Sequence, residues 1–191
     1  MANITPPAPD KTLPDLKILW TRAALFVAVV GVLGSLHLSL SMDLKACPLC
    51  LYQRAFMMSV AAILAFGMFL PSLPTAALSV LALAPAVAGA GIAAHHAYLD
   101  ATGVLECPAG VTGVLMAPQE SLIVFLFLVV FLAGDLFHQK RFVMQGLGAI
   151  LLGYVFYTTC MKGTPKMPPR TVPYPAEQEL DGCRMKYKAP A

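Results

Sequence analysis

The chain has 191 residues, 58% of them hydrophobic and only 12% charged, with a formal net charge of +3. So few charges cannot cover a soluble domain of this length, and the mean hydropathy of +0.73 points to an integral membrane protein. No basic run with interleaved aromatics is present, which argues against nucleic acid as a partner.

Residues 1–16 are polar and proline-rich and read as a disordered cytoplasmic tail, with Lys11, Lys17 and Arg22 near the first apolar segment. That segment covers about 18–40, too long for a signal-peptide core and without a small-x-small cleavage site, so it reads as a retained helix. Further apolar segments cover about 50–70, 75–98, 122–137 and 142–159. The tight turn at Pro71-Ser72-Leu73-Pro74 separates the second from the third, because two prolines in four residues stop a helix. The third is rich in Ala and Gly, which allows close packing in lipid, and Pro85 is a candidate kink. The predicted fold is all-α: a polytopic membrane domain over 17–159, four helices plus a fifth, followed by a polar tail over 160–191.

Lys11, Lys17 and Arg22 fall on the same side as Lys140 and Arg141 if all five segments span, and that side is then cytoplasmic. The loop after the first segment, the loop over 100–120 and the tail then face outward. The tail's Lys162, Lys166, Arg170, Arg184, Lys186 and Lys188 argue the other way. Five spans are preferred, because 18 apolar residues make about 27 Å of helix. The loop over 100–120 is only mildly polar (Val111, Val114, Leu115, Met116) and suits the bilayer interface.

The chemistry concentrates in Cys47-Pro48-Leu49-Cys50-Leu51-Tyr52-Gln53-Arg54, at the mouth of the second segment. A Cys-x-x-Cys pair closes a small, readily opened disulfide ring, and Pro48 suits a first helical turn. On this reading Cys50 meets the free N–H groups of the helix start, which favour a thiolate. The bland alternatives are a structural pair or half of a zinc site completed by Cys107, Cys160 or His96, although the spacing matches no standard finger and no resident metal is expected. Arg54, about 6 Å deeper, either snorkels or binds the carbonyl oxygen of a ligand beside the thiols. His95 and His96 stand about 100° apart on the third helix, so one of them faces the site. His37 reads as packed or interfacial, and Asp135 as snorkelling or paired with Lys140 or Arg141.

The opening motif, together with Gly89-Ala90-Gly91-Ile92-Ala93-Ala94-His95-His96 ahead of an outward cysteine loop, resembles the DsbB family of disulfide-bond-forming membrane proteins over about 20–137. The resemblance implies a four-helix bundle in the bacterial inner membrane with its redox cysteines on the periplasmic side. It implies oxidation of a periplasmic thioredoxin-fold thiol oxidase and transfer of two electrons to a membrane quinone, ubiquinone or menaquinone. Cys47 and Cys50 match the pair beside the quinone, with Cys50 as donor to it and Cys47 nearer water. Arg54 and His96 match the quinone contacts, and Cys107 matches the first cysteine of an outer pair that exchanges with the partner. The family's second outer cysteine is missing from this loop. Cys183 or Cys160 in the tail is the expected substitute. The competing reading is a non-catalytic membrane subunit or assembly factor with structural or metal-binding cysteines, and a third keeps the fold but reverses the electron flow.

Overall fold

A computed structural model describes residues 16–70, 73–139, 142–165, 173 and 180–187, with side chains from residue 19 onward. The N-terminal tail over 1–15 and Lys140, Arg141, Lys166, Arg170 and Lys188 lie outside the described residues. Five helices run α1 Leu16–Leu40, α2 Pro48–Met68, α3 Thr75–Ala101, α4 Ala117–His138 and α5 Val143–Gly163, each apolar and long enough to cross a membrane. Two short strands, β1 Leu105–Glu106 and β2 Arg184–Met185, complete the order. The chain is an all-α, multi-pass membrane protein.

Several bounds differ from those expected. The fourth helix starts at Ala117 rather than near 122, because Pro118 fits its first turn and Glu120 there accepts bonds from Val111 N (2.7 Å) and Thr112 N (3.0 Å) of the preceding loop. Helix α5 continues to Gly163, so Cys160 and Lys162 belong to it and not to the tail. Helix α3 continues through Pro85 to Ala101.

Helix α3 is the axis of the bundle. Two-thirds (67%) of its apolar window is buried, against 11–28% for the other four. Its small residues explain this. A Cβ on Gly89 would stand 2.1 Å from the Phe125 ring of α4, and one on Gly153 of α5 would stand 2.6 Å from the Ala84 carbonyl oxygen of α3. Without hydrophobic drive between helices in lipid, this close backbone approach supplies the packing contacts. The outer faces carry exposed Phe26, Phe66, Phe137 and Met144, as lipid contact requires.

Asp135 neither snorkels nor reaches outward. It is fully buried, accepting from Ser79 Oγ (2.6 Å) and Gln139 Nε2 (3.0 Å), because the Ala-rich α3 brings Ser79 against α4. His37 is exposed at the end of α1.

The cysteine loops and the tail meet at one end. β1 pairs antiparallel with β2 (Leu105 opposite Met185, Glu106 opposite Arg184), and Lys45 bridges Gly182. Lys45 N donates to Asp181 O, and Lys186 N donates to Val104 O at 3.1 Å. Glu106 pairs with Arg184 (3.3 Å) and Lys186 (4.0 Å), and Lys45 with Asp181 (2.7 Å). Arg184 and Lys186 of the tail are thus met by a loop carboxylate. Residues 180–187 form a strap across both loops.

Candidate functional site

Cys47 is the N-cap of α2, with extended backbone (φ −72°, ψ 165°), and its sulfur accepts from Cys50 N at 3.3 Å. The cap therefore gives the free N–H to Cys47, not to Cys50 as the sequence reading had it: Pro48 takes the first helical position and leaves Cys47 just outside. The two sulfurs lie 2.9 Å apart as free thiols. The Cys50 thiol donating to it holds Cys47 below the ordinary thiol range, with help from His96 and against the effect of burial.

His96 is fully buried. Its Nε2 stands 3.9 Å from Cys47 Sγ and 3.3 Å from Cys107 Sγ, and its Nδ1 lies 3.2 Å from Gln53 Nε2. With the Gln53 amide donating to Nδ1, the ring proton falls on Nε2 and faces the sulfurs. His95 points instead into a cleft with Tyr98 and Tyr157.

Cys107 is joined to Cys183 in a disulfide spanning 76 residues of sequence. The strap that carries Cys183 also brings its sulfur within 4.8 Å of Cys47 Sγ, Cys50 Sγ and His96. Cys107 is buried (4%), whereas Cys183 is half-buried. Cys47 is also buried (6%), and Cys50 is the more open of the inner pair. Cys47 sits among Leu49, Ile92, His96 and the tail, while Cys50 turns toward a cavity. Cys160 is a free, half-buried thiol that packs against the same apolar cluster.

The cavity has a volume of about 420 Å³ and lies between α1, α2, α4 and the loops. Cys50, Gln53, Arg54 and His96 are among its polar lining residues, with Lys45 and Glu120, and residues such as Leu38 and Phe125 are among its apolar ones. Arg54 is fixed to α1: Nε donates to Ser35 Oγ (2.9 Å), and Nη2 to Ser35 O (3.0 Å) and Ser39 Oγ. Gln53, Ser35 and Ser39 were missed as site residues. Their signals were available: Gln53 lies one turn after Cys50, and Ser35 and Ser39 are one turn apart near the end of α1 that faces Arg54.

The family model described as disulfide bond formation protein DsbB matches residues 17–134, more than half of the chain. The chain belongs to the DsbB family. Disulfide bond formation protein B 2 of Burkholderia lata is 35% identical over 89 residues, 46% of this chain and 52% of that protein. The chain thus spans about half the length of that curated relative. No solved structure matches. The DsbB match ends before α5 and the strap, so Cys160 and Cys183 lie beyond it.

Proposed function

We propose that the chain is a membrane thiol oxidase: it takes two electrons from a periplasmic dithiol protein of thioredoxin fold and passes them to a membrane quinone, in the bacterial inner membrane. One observation carries this reading. A bridged cysteine pair and a reduced pair lie within sulfur-exchange reach, and the reduced pair opens on an apolar cavity.

Each exchange breaks one S–S bond and forms one. The partner's two thiols open Cys107–Cys183 and leave as a disulfide, and Cys107 and Cys183 become thiols. These two then reduce a Cys47–Cys50 disulfide and close again. Cys47 and Cys50 as thiols beside a closed Cys107–Cys183 bridge correspond to the state in which the electrons have reached the inner pair. The sulfur that meets the partner is Cys183, because Cys107 is buried beneath it. This reverses the role that the family resemblance gives Cys107.

The cavity suits a quinone: its wall is mainly apolar, with a small set of polar groups that includes Gln53, Arg54 and His96. Arg54 would hold a ring oxygen, the Gln53–His96 pair would present a proton on Nε2, and Cys50 would face the ring. When bound, the quinone supplies an acceptor for two electrons and two protons. The α1 serines keep the guanidinium aimed before any ligand arrives.

The test is reconstitution of the full chain with ubiquinone or menaquinone and a reduced dithiol protein. Quinone reduction should vanish in Cys47→Ser and Cys50→Ser and fall in Cys183→Ser. Stoichiometric metal in the purified, air-oxidised protein with no quinone turnover would support the non-catalytic binding alternative instead.

A further inference from the structure

We propose that, once Cys107–Cys183 is reduced, Cys47, Cys50, His96 and Cys183 form a Cys₃His site for a soft divalent cation of the zinc type. Their four ligand atoms already lie within 4.8 Å of one another. A tetrahedral zinc ion with bonds of about 2.3 Å to sulfur and 2.0–2.1 Å to nitrogen needs ligand separations of about 3.5–3.8 Å. Cys47 Sγ and His96 Nε2, at 3.9 Å, are almost there. The two inner sulfurs, at 2.9 Å, must spread by about 1 Å, which side-chain rotation supplies.

Two features keep the fourth ligand in place after the bridge opens. Cys183 is flanked on both sides by backbone bonds that do not depend on the disulfide: Lys45 N to Asp181 O before it, and Lys186 N to Val104 O after it. Glu106 adds its pairing with Arg184 and Lys186. The imidazole also has an outer partner. Gln53 lies against Nδ1, and an amide turned to present its oxygen would accept Nδ1–H and free Nε2 for the metal. The inner half, Cys47-Pro48-Leu49-Cys50 at a helix start, has the two-residue spacing of zinc knuckles.

The chemistry balances simply. A dithiol reductant opens Cys107–Cys183 with two electrons and two protons. Zinc then displaces the protons of three thiols to the buffer. A bridged Cys183 has no thiolate to offer, so the closed disulfide leaves a Cys₂His set with the fourth position left to water, a weaker site. The complete four-ligand site is thus specific to the fully reduced protein. Metal there locks both cysteine pairs and halts exchange until it is removed. The inference uses the thiols of the proposed oxidase but not the quinone.

The experiment uses the full chain in detergent, reduced with a phosphine that does not bind metal, and titrated with Zn²⁺ or Co²⁺. The expected result is one tightly bound metal per fully reduced chain and markedly weaker binding when Cys107–Cys183 is closed. Co²⁺ should show thiolate charge transfer and the intense visible bands of a tetrahedral centre. Cys183→Ser and His96→Ala should lose stoichiometric binding, Gln53→Ala should weaken it about 10–100-fold, and Cys107→Ser and Cys160→Ser should keep it. Equal binding by the oxidised protein, full binding by Cys183→Ser, or no binding by the reduced protein would each overturn the proposal. Quinone turnover of metal-free protein, measured alongside, reports separately on the oxidase reading.

Discussion

Replacing Gly89 by alanine should damage both stability and turnover, although it adds a single methyl far from any sulfur. The added Cβ would stand 2.1 Å from Phe125 Cε1 and 2.3 Å from its Cζ, where ordinary carbon contacts need about 3.5–4.0 Å. Phe125 is fully buried and borders the cavity, so the one open space its ring can turn into is the cavity itself. The relief comes either from the ring turning into the cavity or from α3 and α4 moving apart by about 1 Å or more, and overpacking of this kind costs about 1–3 kcal/mol. Alanine's better helix propensity returns at most about 1 kcal/mol. A control lies in the same protein: a Cβ on Gly148 of α5 meets nothing within 4 Å, so Gly148→Ala should be neutral or mildly stabilising. The functional consequence follows from register. His96 lies seven residues beyond Gly89, two turns along the same face of α3, so the displacement carries to the imidazole between Cys47 and Cys107. Thermal unfolding of both variants in one detergent, with quinone reduction below the lower midpoint, gives the comparison. A Gly89→Ala protein as stable and as active as Gly148→Ala would refute the close-packing account of how α3 positions His96.

Three further outcomes are expected. Arg54→Ala removes three hydrogen bonds to α1 and the charge facing the cavity; it should raise the KM for quinone at least about tenfold, the equivalent of one charge-assisted bond. Arg54→Lys should recover only part, because an ammonium lacks the planar fork; an unchanged KM in both would remove Arg54 from the quinone site. Glu106→Gln severs the contacts to Arg184 and Lys186, partly exposed pairs worth up to about 1 kcal/mol, so amide exchange at Lys186 should quicken by up to about fivefold in the reduced protein. The closed disulfide should mask this effect, and identical exchange in reduced wild type and variant would show that the strap is held otherwise. Asp135→Ala strands the Ser79 hydroxyl and the Gln139 amide inside the bundle, at a cost of about 1–3 kcal/mol. Because that network sits at the end of the bundle away from the cysteines, the midpoint should fall while quinone turnover at low temperature stays near wild type. Loss of turnover without loss of stability would instead give Asp135 a role in the chemistry.

What was legible in the sequence divides along the range of the interactions. The five helices could be read because each is one uninterrupted apolar run, and lipid demands that a spanning segment satisfy its own backbone. Cys47, Cys50 and Arg54 could be singled out because their spacing within a single helix start is itself the signal. The end of α3 was readable down to a choice between two histidines. The outer half of the site was not readable in this way. Cys160 and Cys183 stood as equal candidates to meet Cys107, since both follow the fifth segment and composition does not separate them. What separates them is a two-residue strand pairing, Leu105 with Met185 and Glu106 with Arg184, set by backbone bonds and one carboxylate rather than by any periodic pattern. The same strap decides which cysteine is covered. Local geometry alone placed Cys47 outermost, as the residue ahead of the helix. The tail buries it instead, and leaves Cys50 facing the cavity and Cys183 half-buried at its edge. A site split between a contiguous motif and a segment more than 130 residues away therefore shows its residue types in the sequence but not which of its sulfurs are covered. That depends on which sulfur lies under the strap and which lies in it.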